Sequence, residues 1–162
     1  MSIYGKLYNC DSYLVIANEI SNKFNNGLIS RMENTIENGK IKNDNTNNGK
    51  VNNDEVINVI VFNSNDIPVS IGSLISVDNQ YFINNVITED CNDKDEYEEL
   101  AVRMLVNKAF KLGAIEIIAE IQNEKRTLYK KIGFLEIDGE SLYNNSNYCK
   151  VKIVSTGFYK EC

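Results

Sequence analysis

Ala114-Ile115-Glu116-Ile117-Ile118-Ala119-Glu120-Ile121 is an almost wholly apolar run, and Leu128-Tyr129-Lys130-Lys131-Ile132-Gly133-Phe134 follows it closely. The first run predicts a buried strand, because only its two glutamates interrupt the apolar side chains. The second run is short and amphipathic, and its glycine predicts a helix that ends at Ile132. This strand and helix are the strongest structural signal in the chain.

The segment before this block predicts a meander of strands and then a long helix. Strand-like runs extend from Val56 to Phe62, from Val69 to Val77 and from Tyr81 to Thr88, and short turn-rich connections join them. We therefore expect antiparallel pairing between consecutive strands. The long helix is predicted from about Lys94 to Leu112, and Gly113 stands where a helix end favours positive φ.

The two ends of the chain complete the predicted order of elements. We expect a first strand at Ile3–Tyr8, helices at Tyr13–Phe24 and Leu28–Glu37, a mobile Asn-rich loop at 38–54, and final strands at Leu135–Ile137 and Tyr148–Val154. Helices that interrupt a mostly antiparallel sheet indicate an α+β or mixed α/β domain. The loop is interpreted either as a substrate lid or as an insertion tolerated at a surface turn.

Length and charge limit the classes of function. A chain of 162 residues fits one domain, so residues 1–162 are predicted to form a single unit. The formal net charge of −6 offers no basic surface for a nucleic acid or an anionic membrane, so neither is expected as a partner. No apolar run approaches the roughly 20 residues that span a bilayer, and no signal-peptide pattern opens the chain. A cytoplasmic location is expected.

Cysteine and histidine usage narrows the chemistry further. The four cysteines Cys10, Cys91, Cys149 and Cys162 are scattered, which predicts free thiols rather than a zinc site or a disulfide framework. The chain has no histidine, so Ser-His and Cys-His nucleophile systems are excluded, and no metal is expected. Any acid or base chemistry must use Asp, Glu, Tyr, Cys, Lys or water.

The segment from Tyr129 to Phe134, the long helix and the element order resemble those of the GNAT superfamily of N-acetyltransferases. The resemblance extends over almost the whole chain and is strongest from Val86 to Phe134. It implies a mixed, mostly antiparallel central sheet flanked by helices, with acetyl-CoA as the co-substrate and an amine as the acceptor. It also implies that Tyr129 is the general acid that protonates the departing thiolate, and that the backbone of Ile87 and Thr88 pairs with the pantetheine arm.

The phosphate-binding loop departs from the family pattern Arg-x-x-Gly-x-Gly. In an ungapped alignment the arginine position is Asp93, with Lys94 beside it, and the two glycine positions are Glu96 and Glu98. Small residues and a positive helix end favour a bound diphosphate there. Residues 89–99 instead carry seven carboxylates. The repulsion between a phosphate charge and one carboxylate about 6 Å away weakens binding by about 1–3 kcal/mol, for an effective dielectric of about 20–60.

A second departure lies on the same side of the implied pocket. Where the family has Asn, and a small Ala three residues later, this chain has Gln122 and Lys125. Together the two departures predict a cofactor loop that is degenerate, with acetyl-CoA binding weakened or lost.

Two functions remain open from the sequence. The first is an acetyl-CoA-dependent N-acetyltransferase-like protein that acts on a small amine. The second is a non-catalytic module of the same fold that binds a ligand or a partner protein. The acidic residues 89–99 are interpreted as first-turn carboxylates that stabilise the long helix, or as a docking surface for a cationic substrate or basic partner. A homodimer is expected by analogy alone.

Overall fold

The computed structural model describes residues 3–9, 55–137 and 147–155. The strands are β1 Tyr4–Asn9, β2 Glu55–Phe62, β3 Pro68–Val77, β4 Gln80–Thr88, β5 Glu116–Gln122, β6 Leu135–Glu136 and β7 Tyr148–Val154. The helices are α1 Lys94–Lys111 and α2 Arg126–Ile132, and a 3₁₀ turn at Asn123–Lys125 precedes α2. The helices predicted at Tyr13–Phe24 and Leu28–Glu37 and the loop at 38–54 lie outside the described residues.

The described strands form one mixed sheet. Its order is β1-β2-β3-β4-β5-β7-β6, and all neighbours are antiparallel except the parallel pair β4–β5. Strands β2, β3 and β4 form the predicted meander, joined by tight turns in which Asp66, Asp78 and Asn79 adopt positive φ. The α+β prediction of a mostly antiparallel sheet flanked by helices is confirmed.

Both helices end at the glycines that the sequence singled out. Gly113 has φ +102° and Gly133 has φ +127°. After each glycine the next amide donates back into the helix, from Ala114 to the Ala109 carbonyl at 3.0 Å and from Phe134 to the Tyr129 carbonyl at 3.0 Å. Because Ala114 completes this cap, β5 begins at Glu116 rather than at Ala114.

Helix α1 covers one face of the sheet with small and branched side chains. Ala101, Val102, Leu105 and Val106 are fully buried there. Gly72 on β3 lets α1 and β4 approach closely, because a Cβ at this position would lie 3.0 Å from Val86 Cγ2 and 3.1 Å from Leu105 Cδ1. This close packing holds the middle of α1 against β3 and β4.

Gly72→Ala should lower the free energy of unfolding by about 1–3 kcal/mol, because the added methyl overpacks the contact between α1 and β4. Urea denaturation measures the change. Gln80→Ala, on an exposed residue at the start of β4, is the matched control and should stay within about 0.5 kcal/mol of wild type. Equal stability of the two variants would contradict the close contact at Gly72.

Candidate functional site

Strands β4 and β5 separate part-way along their length. Their parallel pairing covers only Tyr81 with Ile117, Phe82 with Ile118 and Ile83 with Ala119. Beyond Ile83, β4 contains one extra residue relative to β3, because the register moves from Ser73–Asn84 to Ile71–Ile87. Such a bulge leaves a residue out of the strand ladder and bends the strand, so β4 diverges from β5 here.

A cleft of about 1280 Å³ opens between the separated strands. Its walls come from β4, β5, the start of α1 and the start of α2. Among the described residues, eight acidic side chains and four lysines line it, a net of −4 if all are ionised: Asp78, Asp90, Asp95, Glu96, Glu98, Glu99, Glu120, Glu124, Lys94, Lys125, Lys131 and Lys150. The cleft is therefore more favourable to a cation than to a polyanion.

The start of α1 forms one wall. Six positions, 93–98, align with the family's phosphate-binding loop. The helix begins at Lys94, so five of these positions are helical and only Asp93 precedes the helix. Lys94 and Glu96 are exposed and line the cleft, whereas Asp93 is exposed just outside the helix and makes no side-chain capping hydrogen bond. The carboxylates of Asp95 and Glu96 occupy the first turn, where they complement the positive helix end.

Glu98 and Lys125 form an ion pair across the cleft. Lys125 Nζ lies 2.9 Å from Glu98 Oε2 and donates a 3.3 Å hydrogen bond to the carbonyl oxygen of Val86, at the bulge of β4. The Glu98 side chain is 7% exposed and the Lys125 side chain 26% exposed. One ammonium group thus joins α1, β4 and the 3₁₀ turn before α2.

The other carboxylate oxygen of Glu98 continues the network into the sheet. Thr88 Oγ1 donates to Glu98 Oε1 at 3.1 Å, and the hydroxyls of Thr88 and Ser70 lie 2.8 Å apart. Ser70 Oγ in turn donates to the carbonyl oxygen of Ile87 at 3.2 Å. The strand end that was predicted to contact an acyl arm is therefore held by polar side chains of this protein.

Tyr129 lies on α2, in the wall of the cleft. Its side chain is 2% exposed, and its ring packs edge-on against Phe134 with 5.2 Å between centroids. Burial raises the pKa of Tyr129 well above its ordinary value of 10.0, and the charge of Glu98 raises this pKa further. The phenol keeps its proton at neutral pH, as it would at its ordinary pKa, and the raised pKa makes it a weaker acid than a free tyrosine.

The structure brings most of the predicted site residues to this cleft. Ile87, Thr88, Lys94, Glu96, Glu98, Gln122, Lys125 and Tyr129 all line it. Gln122 is exposed at the end of β5, where the 3₁₀ turn begins. The sequence interpretation missed Ser70 and Val86, and it treated Glu98 and Lys125 only as separate departures from a family pattern. Ser70 carries no signal in the sequence; its place beside Thr88 follows only from the strand register of the structure.

Glu99 joins α1 to α2 at the edge of the cleft. Its carboxylate accepts a hydrogen bond from Arg103 Nε at 2.9 Å and lies 3.0 Å from Lys131 Nζ. Burial opposes the charge of Glu99, yet the bonds to Lys131 and Arg103 prevail and lower the pKa of this carboxyl from its ordinary value of 4.5.

Glu99→Gln should lower the free energy of unfolding at about pH 7 by about 1 kcal/mol. Because the folded pKa of Glu99 is lowered, its contribution to stability is present above the unfolded pKa and is lost as pH falls through the folded pKa. Urea denaturation at about pH 7 and about pH 3 should therefore show the difference only at the higher pH. In Glu116→Gln, whose more exposed carboxylate lies 3.6 Å from Lys152, the loss of stability should be smaller. Equal losses in the two variants would contradict a stabilising contact of Glu99 with Arg103 and Lys131.

The described part of the chain offers neither a metal-ligand cluster nor a membrane-spanning helix. Among residues 3–9, 55–137 and 147–155, no group of three or more Cys, Asp or Glu side chains is placed to hold a metal ion. No helix within these ranges is long and apolar enough to cross a bilayer. Cys91 is exposed and Cys149 partly buried, and both are free thiols as predicted; Cys10 and Cys162 lie outside the described residues.

Comparison with known proteins identifies the fold. No family model and no curated protein matches the chain. Mutant forms of the spermidine/spermine N-acetyltransferase SpeG from Vibrio cholerae match with a TM-score of 0.59 at 12% identity, over 99% of this chain and 98% of that one. The PaiA N-acetyltransferase from Thermoplasma acidophilum, in complex with coenzyme A, matches at 0.59 and 10% identity, over 95% and 99%.

A third match spans about two thirds of each chain. It is a putative streptothricin acetyltransferase from Bacillus anthracis in complex with acetyl coenzyme A, with a TM-score of 0.53 at 17% identity, over 68% of this chain and 66% of that one. At such identities the likeness concerns the fold. The chain has the GNAT fold, as the sequence predicted, and its low identity to these proteins is that of a divergent member of the fold.

Proposed function

We propose that the protein is an N-acetyltransferase-like protein that binds acetyl-CoA weakly in the cleft between β4 and β5 and transfers the acetyl group to a small amine. The observation that carries this proposal is the separation of β4 from β5 beyond Ile83. It leaves a cleft of about 1280 Å³ with Tyr129 in its wall. Structural neighbours with this fold are acetyltransferases, one of them in complex with acetyl coenzyme A.

The cleft fits an acyl arm better than it fits a diphosphate. Ile83, Val86, Ile87, Ile121 and Leu128 supply apolar walls, and the bulge in β4 provides backbone groups outside the ladder. The helix start, in contrast, carries Asp95 and Glu96 where a diphosphate would need positive charge. Both features support an affinity for acetyl-CoA that is weaker than is usual for this fold.

Tyr129 is the proposed proton donor. In acetyl transfer, the neutral amine nitrogen forms a bond to the thioester carbonyl carbon and loses a proton to water, the carbon–sulfur bond breaks, and the leaving thiolate takes a proton. The Tyr129 phenol is protonated at neutral pH and lies in the wall of the cleft. Because its pKa is raised above 10.0, proton transfer to the thiolate is uphill, and the phenol stabilises the developing thiolate first as a hydrogen-bond donor. A neighbouring carboxylate, Glu98, would disfavour a lasting tyrosinate, so the phenol must regain its proton after each turnover.

Isothermal titration with acetyl-CoA tests the charge argument. Asp95→Asn with Glu96→Gln should tighten acetyl-CoA binding by about tenfold, because two carboxylates near the diphosphate are neutralised. Glu116→Gln with Glu136→Gln changes the net charge equally at residues that do not line the cleft, and should leave the affinity unchanged. Micromolar or tighter binding of acetyl-CoA by the wild type, or an equal increase of affinity in both double variants, would contradict weakened binding.

A non-catalytic module that binds a ligand or partner protein is the second candidate. The observation that favours it is the ion pair between Lys125 and Glu98, which crosses the cleft. Lys125 also donates a hydrogen bond to the Val86 carbonyl, so this backbone group is already occupied. Under this proposal purified protein would bind no acetyl-CoA and would release no coenzyme A in the presence of amines. A cytoplasmic location and a homodimer remain predictions.

A further inference from the structure

We infer that Glu98 and the Val86 carbonyl form a binding site for a primary aliphatic ammonium group, and that Lys125 is a tethered internal occupant of this site. The inference concerns binding alone and does not require acetyl transfer. It identifies the chemical class of a ligand, a primary alkylamine in its protonated form, and the two groups that hold it.

Lys125 Nζ shows how an ammonium group sits between Glu98 and Val86. It lies 2.9 Å from Glu98 Oε2, an ion-pair contact that leaves this buried oxygen without a hydrogen-bond donor among the described residues, and it donates to the Val86 carbonyl at 3.3 Å. An ammonium has three donors on one point charge, whereas a guanidinium presents a planar fork. The carboxylate is itself oriented by Thr88, which donates to its other oxygen at 3.1 Å.

Glu98 requires a cation at this position. Its side chain is only 7% exposed, and a buried carboxylate without a charge partner is strongly destabilising. Lys125, in contrast, is 26% exposed and has a flexible four-carbon stem, so its ammonium can turn towards solvent at the cleft mouth. When Lys125 withdraws, a second ammonium must replace it or the carboxylate is left uncompensated.

The cleft also provides room for the carbon chain of such a ligand. It measures about 1280 Å³, and Ile83, Val86, Ile121 and Leu128 contribute apolar surface to it. The described residues that line it carry eight acidic groups against four basic ones, and this net charge of −4 favours a cation. The ligand is therefore an ammonium carried on an apolar stem.

The probe is n-butylamine, titrated calorimetrically at neutral pH and constant ionic strength into the wild type and into Lys125→Ala. Loss of the internal competitor should tighten binding by about tenfold or more, because only the fraction of wild-type molecules with Lys125 withdrawn is competent. Lys150→Ala removes the same charge from the same cleft and should tighten n-butylamine binding by far less than Lys125→Ala, because only the net charge of the lining changes.

Two further arms test the groups that form the site. The double variant Lys125→Ala with Glu98→Gln should lose the gained affinity, and neither n-butanol nor tetramethylammonium should bind Lys125→Ala. Equal n-butylamine affinity of Lys125→Ala and wild type, or binding that survives loss of Glu98, would overturn the inference. Failure to bind acetyl-CoA would leave these results unaffected, so the two proposals fail separately.

A measurement on the wild type covers the case in which Lys125→Ala does not fold. Nitrogen-15 NMR of the lysine ammonium groups follows Lys125 directly, and its resonance should shift or broaden as n-butylamine displaces it. The resonance of Lys111, an exposed lysine that does not line the cleft, should remain unchanged. A Lys125 signal that stays constant at saturating n-butylamine would contradict displacement.

Discussion

Tyr129→Ala should lower the free energy of unfolding by about 3–5 kcal/mol, whereas Tyr129→Phe should cost far less. The alanine variant removes a ring that is 2% exposed and packs edge-on against Phe134, and a cavity remains between α2 and the sheet. The phenylalanine variant keeps that ring and loses only the hydroxyl. Urea denaturation followed by circular dichroism measures both changes.

Tyr129→Phe also separates the proposed chemistry from packing. If the phenol protonates the leaving thiolate, acetyl transfer to a small amine should fall by about 100-fold or more while the fold is kept. Phe134→Leu, a packing change beside the same ring, should reduce stability without a comparable fall in the rate. A Tyr129→Phe variant that transfers acetyl groups at the wild-type rate would remove Tyr129 from the mechanism.

Much of the fold was predictable because its signals are local. The apolar run that became β5 and the glycines after α1 and α2 depend on side-chain burial and backbone conformation within a few residues. Gly113 and Gly133 adopt positive φ as expected, and the strand Tyr148–Val154 has the predicted bounds. The meander of β2, β3 and β4 followed from short turns that leave antiparallel pairing as the simplest connection.

The arrangement within the cleft was not predictable from those signals. Lys125 and Glu98 are 27 positions apart in the sequence and belong to different elements, so their ion pair depends on tertiary structure. The bulge in β4 has no clear sequence signature, yet it turns the Val86 carbonyl towards Lys125. In a residue-by-residue comparison with the family pattern, Glu98 and Lys125 each appear as the loss of a cofactor-binding residue. In the structure their opposite charges form an ion pair.

Breaking that pair should have unequal consequences for its two members. Lys125→Met leaves a carboxylate that is 7% exposed with Thr88 as its neutral donor, and should lower the free energy of unfolding by about 3 kcal/mol. Glu98→Gln should cost less, because the Lys125 ammonium is 26% exposed and can reach water.

The double variant distinguishes an ion pair from two independent contributions. Glu98→Gln with Lys125→Met should be more stable than Lys125→Met alone, since no buried charge then remains without a partner. Urea denaturation of all four proteins of the cycle gives the coupling free energy. Additive losses of stability would mean that the buried Glu98 carboxylate is not stabilised by the Lys125 ammonium. The proposal that Lys125 occupies an ammonium site would then lose its energetic basis, because neither an ammonium of this chain nor that of a ligand would stabilise the carboxylate.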